Sequence, residues 1–181
     1  MDFAIINTPI GALRIVEEDG YITEIKYVCQ IAEEVLPETD LLKEAVKQLC
    51  EYFDGLRKEF TIPLNPKVSP YRRKVLDELM QVPFGSTVTY KDLAEKTGNP
   101  KAVRAVGSAM RTNPIIIAIP CHRVLKSDGS LGNYSAGGPA NKDWLLTFEH
   151  QNTYGLWGLF QNTNINKGDY YGTEVYDRKG S

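Results

Sequence analysis

The run Ile115-Ile116-Ile117-Ala118-Ile119 constrains this chain more than any other segment. All five residues are apolar and four are β-branched, so the segment has to be buried, and Pro120 ends it by removing a backbone donor. The pattern predicts a buried strand that stops at Pro120 and delivers the next residues to the rim of a core. Those residues are Cys121, His122, Arg123 and Val124, which set a thiol, an imidazole and a guanidinium side by side. A thiol attacks as thiolate, and a neighbouring base or cation lowers its pKa from a free value of about 8.5. The plain alternative is a structural, half-buried cysteine, because free Cys is among the most buried residue types. The hexapeptide alone leaves both readings open.

Composition narrows the class. The 181 residues suit one ordinary domain or two small ones, and 42% are hydrophobic, enough for a real core. No stretch approaches the roughly 18 consecutive apolar residues of a membrane helix, and the N-terminus lacks the basic start and apolar centre of a signal peptide. The expectation is a soluble, intracellular protein. Cys29, Cys50 and Cys121 are too few and too scattered for a disulfide framework. With His122 and His150 the only histidines, no set has metal-ligand spacing, so neither a metal nor a cofactor is expected.

Charge is distributed unevenly. Residues 1–60 carry 13 acidic and 6 basic side chains, whereas residues 61–126 carry 4 acidic and 11 basic. From Lys96 to Lys126 there is no Asp or Glu at all. A one-sided basic zone beside a reactive thiol suits a polyanionic partner.

The order of elements predicts an α+β fold. Phe3–Asn7, Ala12–Val16 and Tyr21–Val28 read as strands, separated by Thr8-Pro9-Ile10-Gly11 and Glu18-Asp19-Gly20 turns. Asp40–Phe53 reads as a helix, with Thr39 or Asp40 as cap and Gly55 past its end. Phe60–Leu64 reads as a further strand. The linker Asn65–Pro70 divides an N-terminal unit, 1–65, from a mainly helical unit, 66–150, leaving 151–181 as an extension without evident chemistry. In the second unit, helices are expected over Tyr71–Met80, Lys91–Thr97, Lys101–Arg111 and Asn141–His150. The middle pair, joined through Gly98-Asn99-Pro100, forms a helix-turn-helix pattern. The second helix of the pair carries Arg104 among Ala102, Ala105, Gly107, Ser108 and Ala109. Small residues permit close approach to a groove or to another backbone. The Gly-rich loop Leu131–Pro139 lacks the Gly-Lys-Ser/Thr ending of a phosphate-binding loop.

Residues 69–149 resemble the C-terminal domain of the O6-alkylguanine-DNA alkyltransferases. The resemblance rests on Arg104-Ala105-Val106-Gly107, Asn113-Pro114 and Pro120-Cys121-His122-Arg123-Val124. It implies a small ribonuclease-H-like N-terminal sheet-and-helix domain ahead of a helical domain with a helix-turn-helix. It also implies irreversible, stoichiometric transfer of an alkyl group from guanine O6 to Cys121 after base flipping, with O4-alkylthymine as a second candidate substrate. In that likeness His122 draws the thiol proton through a water, and Glu149 orients His122. Asn113 braces the active-site turn, and Tyr90 assists the departing guanine. Arg104 fills the hole left by the flipped nucleotide, while Lys101, Ala105, Arg111 and Arg123 meet the DNA. Tyr134 and Ser135 stack on and hydrogen-bond the base, the backbone at Cys121 and Val124 faces the guanine's exocyclic amine, and Ile116 borders the alkyl pocket. Ile116 stands where members often have a second proline. The implied partner is double-stranded DNA bearing O6-alkylguanine, entered from the minor groove by a monomer. The implied place is the cytoplasm, at the nucleoid in a prokaryote, or the nucleus in a eukaryote. Three rivals remain at this stage: a recognition protein that binds without transfer, a cysteine hydrolase and a helix-turn-helix regulator.

Overall fold

The computed structural model describes residues 1–160. Strands β1 (Asp2–Thr8), β2 (Gly11–Glu18) and β3 (Tyr21–Cys29) form one antiparallel sheet in the order β1-β2-β3. Asp19 and Gly20 join β2 to β3 with φ of 53° and 78°, the left-handed pair that matches strand twist in a two-residue hairpin. Helix α1 (Asp40–Phe53) packs on the sheet through Leu42, Ala45, Leu49 and Tyr52. Their spacing keeps them on one helix face. Of the two cap candidates, Thr39 fills the role: its hydroxyl oxygen accepts from the Leu42 amide at 3.1 Å. The strand expected over 60–64 does not form. Pro63 lies inside that segment, which makes only one bridge, between Ile22 and Leu64.

The second half holds α2 (Pro70–Leu79), β4 (Val88–Thr89), α3 (Tyr90–Lys96), α4 (Val103–Arg111), β5 (Val124–Leu125) and α5 (Pro139–Phe160). Each helix of this half differs from the sequence reading at one end or both. Helix α3 begins at Tyr90 because Thr89 and Asp92 form a capping box. Helix α4 begins at Val103, since Lys101 and Ala102 sit in a turn whose amides bond to Asn99. Helix α5 begins earlier, at Pro139, and continues past His150, with the Asn152 and Thr153 side chains turned back onto the carbonyls of Phe148 and Glu149. Most of the extension, residues 161–181, lies outside the described residues. The parallel pair β4–β5 joins Val88 to Val124 and Thr89 to Leu125. Two-residue strands have no periodicity to read, yet this pair sets Tyr90 beside the Cys121 turn.

The expected strand at Ile115–Ile119 is a tight reversal instead. Ile117 adopts φ of 70°, a rare conformation for a β-branched residue and a store of strain of about 1–3 kcal/mol. The reversal docks on β3, where Ile25 donates to Pro114 O at 2.9 Å and accepts from Ile116 N at 3.0 Å. Although residues 65–70 separate the two halves in sequence, one apolar cluster runs through both, from Leu13 and Leu49 to Val75, Ile115 and Leu145.

A shared core implies one cooperative transition. Far-UV circular dichroism and tryptophan fluorescence, whose two tryptophans both lie in the C-terminal half, are expected to report the same urea midpoint. Leu49→Ala, in the N-terminal half, is expected to lower stability by about 2–5 kcal/mol and to shift both probes together.

Candidate active site

Cys121, His122 and Arg123 form a single 3₁₀ turn. The turn is built on the strained reversal before it. The Asn113 amide nitrogen donates to Ile119 O at 2.9 Å, and its carbonyl oxygen accepts from Ile115 N at 3.0 Å. Asn113 thus ties both ends of the Ile115–Ile119 reversal and fixes where Cys121 emerges. Cys121 is not on an open rim: it is 3% exposed and counts among the core residues. It also lines a cleft of about 600 Å³, so one side of the residue faces the core and the other the cleft. Burial pushes its thiol pKa up, opposed by the Asn113 side chain, the Lys142 ammonium and two backbone amides. The simple expectation of a lowered pKa is therefore corrected: desolvation outweighs the neighbouring donors and cation.

Behind the thiol lies a buried charge cluster. His122 Nε2 is 2.7 Å from Glu149 Oε1, and both side chains are fully buried. Arg123 clamps the same carboxylate, Nε to Oε2 and Nη2 to Oε1, each at 2.9 Å, and donates Nη1 to Val82 O at 2.7 Å. Burial alone would raise the Glu149 pKa, but His122 and Arg123 outweigh it and hold the carboxyl well below the usual carboxylate range. An ionised carboxylate only accepts, so Nε2 of His122 carries the proton and Nδ1 presents a lone pair. Nδ1 is buried and has no hydrogen-bond partner among the described residues. Burial also lowers the His122 pKa, against the pull of Glu149. A neutral imidazole with an unshared Nδ1 is a base available for a proton.

The structure corrects two expected roles. Arg123, expected on the DNA, is 6% exposed and turned inward, because buried Glu149 needs a counter-charge. Ile116, expected in the pocket, belongs to the core and is not part of the cleft lining, and the Val124 side chain is buried in the same core, which leaves only its backbone for the expected contact to the base. Val124 is held in the β4–β5 pair, and Ile116 is held between Ile25 and Ile119. The other residues gather as follows. Tyr90, Tyr134 and Ser135 line the cleft with Cys121. Burial raises the pKa of both tyrosines, and the nearby Cys121 adds to it, so each remains a proton donor at neutral pH. Arg104 and Arg111 project from α4 at the cleft and are exposed, while Lys101 and Ala105 are exposed nearby but outside its lining. Lys91 and Lys126 complete the rim, and no acidic side chain among the described residues lines the cleft.

Lys142 escaped the sequence reading. It is fully buried, donates Nζ to Leu131 O at 2.5 Å and sits 5.8 Å from the Tyr90 ring centroid. Burial lowers its pKa to about 8, partly offset by Cys121. A signal existed: Lys142 and Glu149 fall in phase with Leu145 on the inward face of α5, where ionisable residues need a reason to be.

A cysteine on the wall of a cation-rimmed cleft, backed by a buried base and flanked by a helix-turn-helix, defines a cysteine-nucleophile protein with a polyanion-facing surface. Comparison with known proteins agrees. Residues 1–66 match "6-O-methylguanine DNA methyltransferase, ribonuclease-like domain", and residues 70–151 match "6-O-methylguanine DNA methyltransferase, DNA binding domain". The chain is 40% identical over 153 residues to "Methylated-DNA–protein-cysteine methyltransferase, constitutive" of Bacillus subtilis, spanning 79% of this chain and 92% of that protein. The crystal structure of Mycobacterium tuberculosis O6-methylguanine methyltransferase superposes with a TM-score of 0.72 at 34% identity, covering 81% of this chain and 91% of that one. The Mycobacterium tuberculosis OGT in complex with DNA gives 0.72 at 32% identity, covering 83% and 93%. The chain belongs to the 6-O-methylguanine DNA methyltransferase family.

Two substitutions separate internal from DNA-facing charges. Arg123→Met is expected to cost about 3–5 kcal/mol in urea unfolding, because it strands a buried carboxylate. Lys142→Met is expected to stabilise by about 1–2 kcal/mol at pH 7, since burying a cation with its pKa lowered from 10.5 to about 8 costs more than the lost bond to Leu131 O. The sign follows from proton uptake. Between about pH 8 and 10.5 the unfolded chain holds the extra proton, so native stability rises through that window and the gain from Lys142→Met fades there. The same variant is expected to raise the Cys121 pKa and slow its alkylation at neutral pH.

Proposed function

We propose that this chain repairs DNA by direct reversal, moving an alkyl group from guanine O6 to the Cys121 sulfur. The observation that carries the reading is the thiol on the wall of a cation-rimmed cleft that no acidic side chain among the described residues lines. The reacting carbon lies inside the base stack, where in-line attack by a protein thiol is blocked. The nucleotide therefore swings out into the cleft at a cost of a few kcal/mol, least for a lesion that already spoils pairing.

In the reaction the thiol proton passes towards His122 Nδ1 through a water. The C–S bond forms as the C–O6 bond breaks. Tyr90, protonated at neutral pH, donates to the departing guanine and limits charge on it. Tyr134 stacks on the base, and Ser135 hydrogen-bonds it. The products are guanine in DNA and a thioether on Cys121, which has no easy reversal, so each molecule acts once. The raised thiol pKa supports proton transfer to His122 during the reaction rather than a standing thiolate.

On the DNA, Arg104 enters from the minor groove and occupies the space left by the extruded nucleotide. Lys101, Arg111, Lys91 and Lys126 meet phosphates, and Ala105 permits close approach of α4. O4-alkylthymine presents a similar alkyl ether and is a second substrate of the same site. Every group invoked lies in one chain, which supports action as a monomer. The location is wherever the cell keeps its DNA: the cytoplasmic nucleoid, or the nucleus. Among the described residues no helix is long and apolar enough to cross a membrane.

Intact-mass measurement after incubation with duplex DNA containing O6-methylguanine is expected to show a gain of one methyl, absent in Cys121→Ala. Binding without any gain would replace transfer by recognition alone. Arg104→Ala is expected to slow repair of duplex DNA by at least about tenfold, the equivalent of one lost contact of about 1.4 kcal/mol, while leaving reaction with the free base nearly unchanged. Equal losses on both substrates would remove Arg104 from the base-flipping role.

A further inference from the structure

Glu149 has a partner that neither the motif nor the helical half supplies. The Tyr52 hydroxyl, on α1 of the N-terminal half, donates to Glu149 Oε1 at 2.7 Å across 97 residues of sequence. Tyr52 is fully buried. Its ring is gripped from both halves, with centroid distances of 5.7 Å to Phe60, 5.8 Å to Phe84 and 5.6 Å to Phe148. That packing leaves the hydroxyl little choice of direction.

The carboxylate's contacts show what the hydroxyl does. Oε1 accepts from Tyr52, His122 Nε2 and Arg123 Nη2, while Oε2 accepts from Arg123 Nε and from Gly85 N at 3.2 Å. Tyr52 and His122 therefore share one oxygen. A charge-assisted bond from a hydroxyl to a carboxylate is among the stronger hydrogen bonds. It draws electron density that would otherwise go to the imidazole N–H, and it fixes the plane of the carboxylate. The hydroxyl stays protonated, because burial and then the adjacent Glu149 charge push its pKa well above the usual tyrosine value.

We propose that Tyr52 is a positioning residue of the alkyl-transfer site, through which the N-terminal half orients Glu149 and sets how strong a base His122 is. The inference rests on the proposed role of His122 as proton acceptor, and it goes beyond that role by giving the first half of the chain a direct part in the site. Tyr52 touches no reacting atom and acts only through Glu149.

Tyr52→Phe removes one oxygen and keeps the ring. With one donor fewer on Oε1, the bond from His122 strengthens. The His122 Nε2–H proton resonance is expected to move downfield, and only two histidines need assignment. The acid limb of the alkylation rate against pH is expected to move up by about half a pH unit, because the imidazole becomes more basic. In a Glu149→Gln background, adding Tyr52→Phe is expected to change neither readout. Phe60→Leu, which loosens the same ring without touching the carboxylate, is expected to lower stability and leave both readouts in place.

An unmoved Nε2–H resonance and acid limb in Tyr52→Phe would overturn the proposal, as would an equal shift in Phe60→Leu. Should Tyr52→Phe not fold, the unsubstituted protein decides the matter. A slowly exchanging Tyr52 hydroxyl proton with a nuclear Overhauser contact to His122 Nε2–H supports the proposal, and rapid exchange with solvent sinks it. The resonance measurements need no DNA. Absence of methyl transfer by the unsubstituted protein would therefore count against the repair reading and not against the Tyr52–Glu149–His122 coupling.

Discussion

One fully buried carboxylate organises this molecule. Glu149 cannot stay ionised without solvent unless each oxygen is met by donors, and unpaired burial of such a charge would cost several kcal/mol. The fold answers with five hydrogen bonds from three places: α1 through Tyr52, the turn at Gly85, and the 3₁₀ turn through His122 and Arg123. Those groups come from the N-terminal half, the start of the helical half and the active-site turn. Satisfying one anion therefore fixes the relative position of all three. The aromatic cluster of Tyr52, Phe84 and Phe148 surrounds this polar knot with apolar surface and excludes water from it.

The same arrangement decides the chemistry available to Cys121. Arg123 neutralises Glu149, so the carboxylate does not have to take a proton from His122. His122 then remains neutral with a free lone pair. Lys142 supplies positive charge near the sulfur at a cost in stability, the pattern of a site shaped for reaction rather than for packing. On the cleft side the cations of α4 and its surroundings face outward, and no acidic side chain among the described residues lines the cleft with them. The buried cluster and the exposed rim thus divide the basic residues into two groups with different physics. Arg123 and Lys142 act in a low dielectric at short range, while Arg104, Arg111, Lys91 and Lys126 stand exposed in solvent, where their field is screened.

Much of this was legible in the chain. The hairpins and α1 followed from turn residues and helical spacing, which left Thr39 and Asp40 as alternative caps until the structure chose Thr39. The helix-turn-helix followed from two short helical segments around Gly98-Asn99-Pro100. Cys121 stood out from its own hexapeptide, and Asn113, Tyr90, His122 and Glu149 were named from a resemblance; the structure puts Cys121 and Tyr90 on the cleft, ties Asn113 to the reversal before the thiol and pairs His122 with Glu149 in the core. The errors have local causes. Ile115–Ile119 has the composition of a strand, but a single left-handed residue at Ile117 turns it back on itself, and composition does not encode φ. Arg123 looked like a DNA contact because it lies in a basic zone. Its direction was set by an acid 26 residues further along.

Sequence by itself determined the local vocabulary: which segments bury apolar faces, where turns fall, which residue types carry nucleophile, base and cation. These depend on short-range propensity and periodicity, which adjacent residues express fully. Tertiary structure alone decided the partners. Whether Cys121 sits at a rim or in a wall, whether Arg123 faces DNA or Glu149, and whether Tyr52 joins the site are settled by contacts between residues far apart in the chain. Hydrogen bonds and desolvation act over a few ångströms of space without regard to sequence separation, so no local pattern records them.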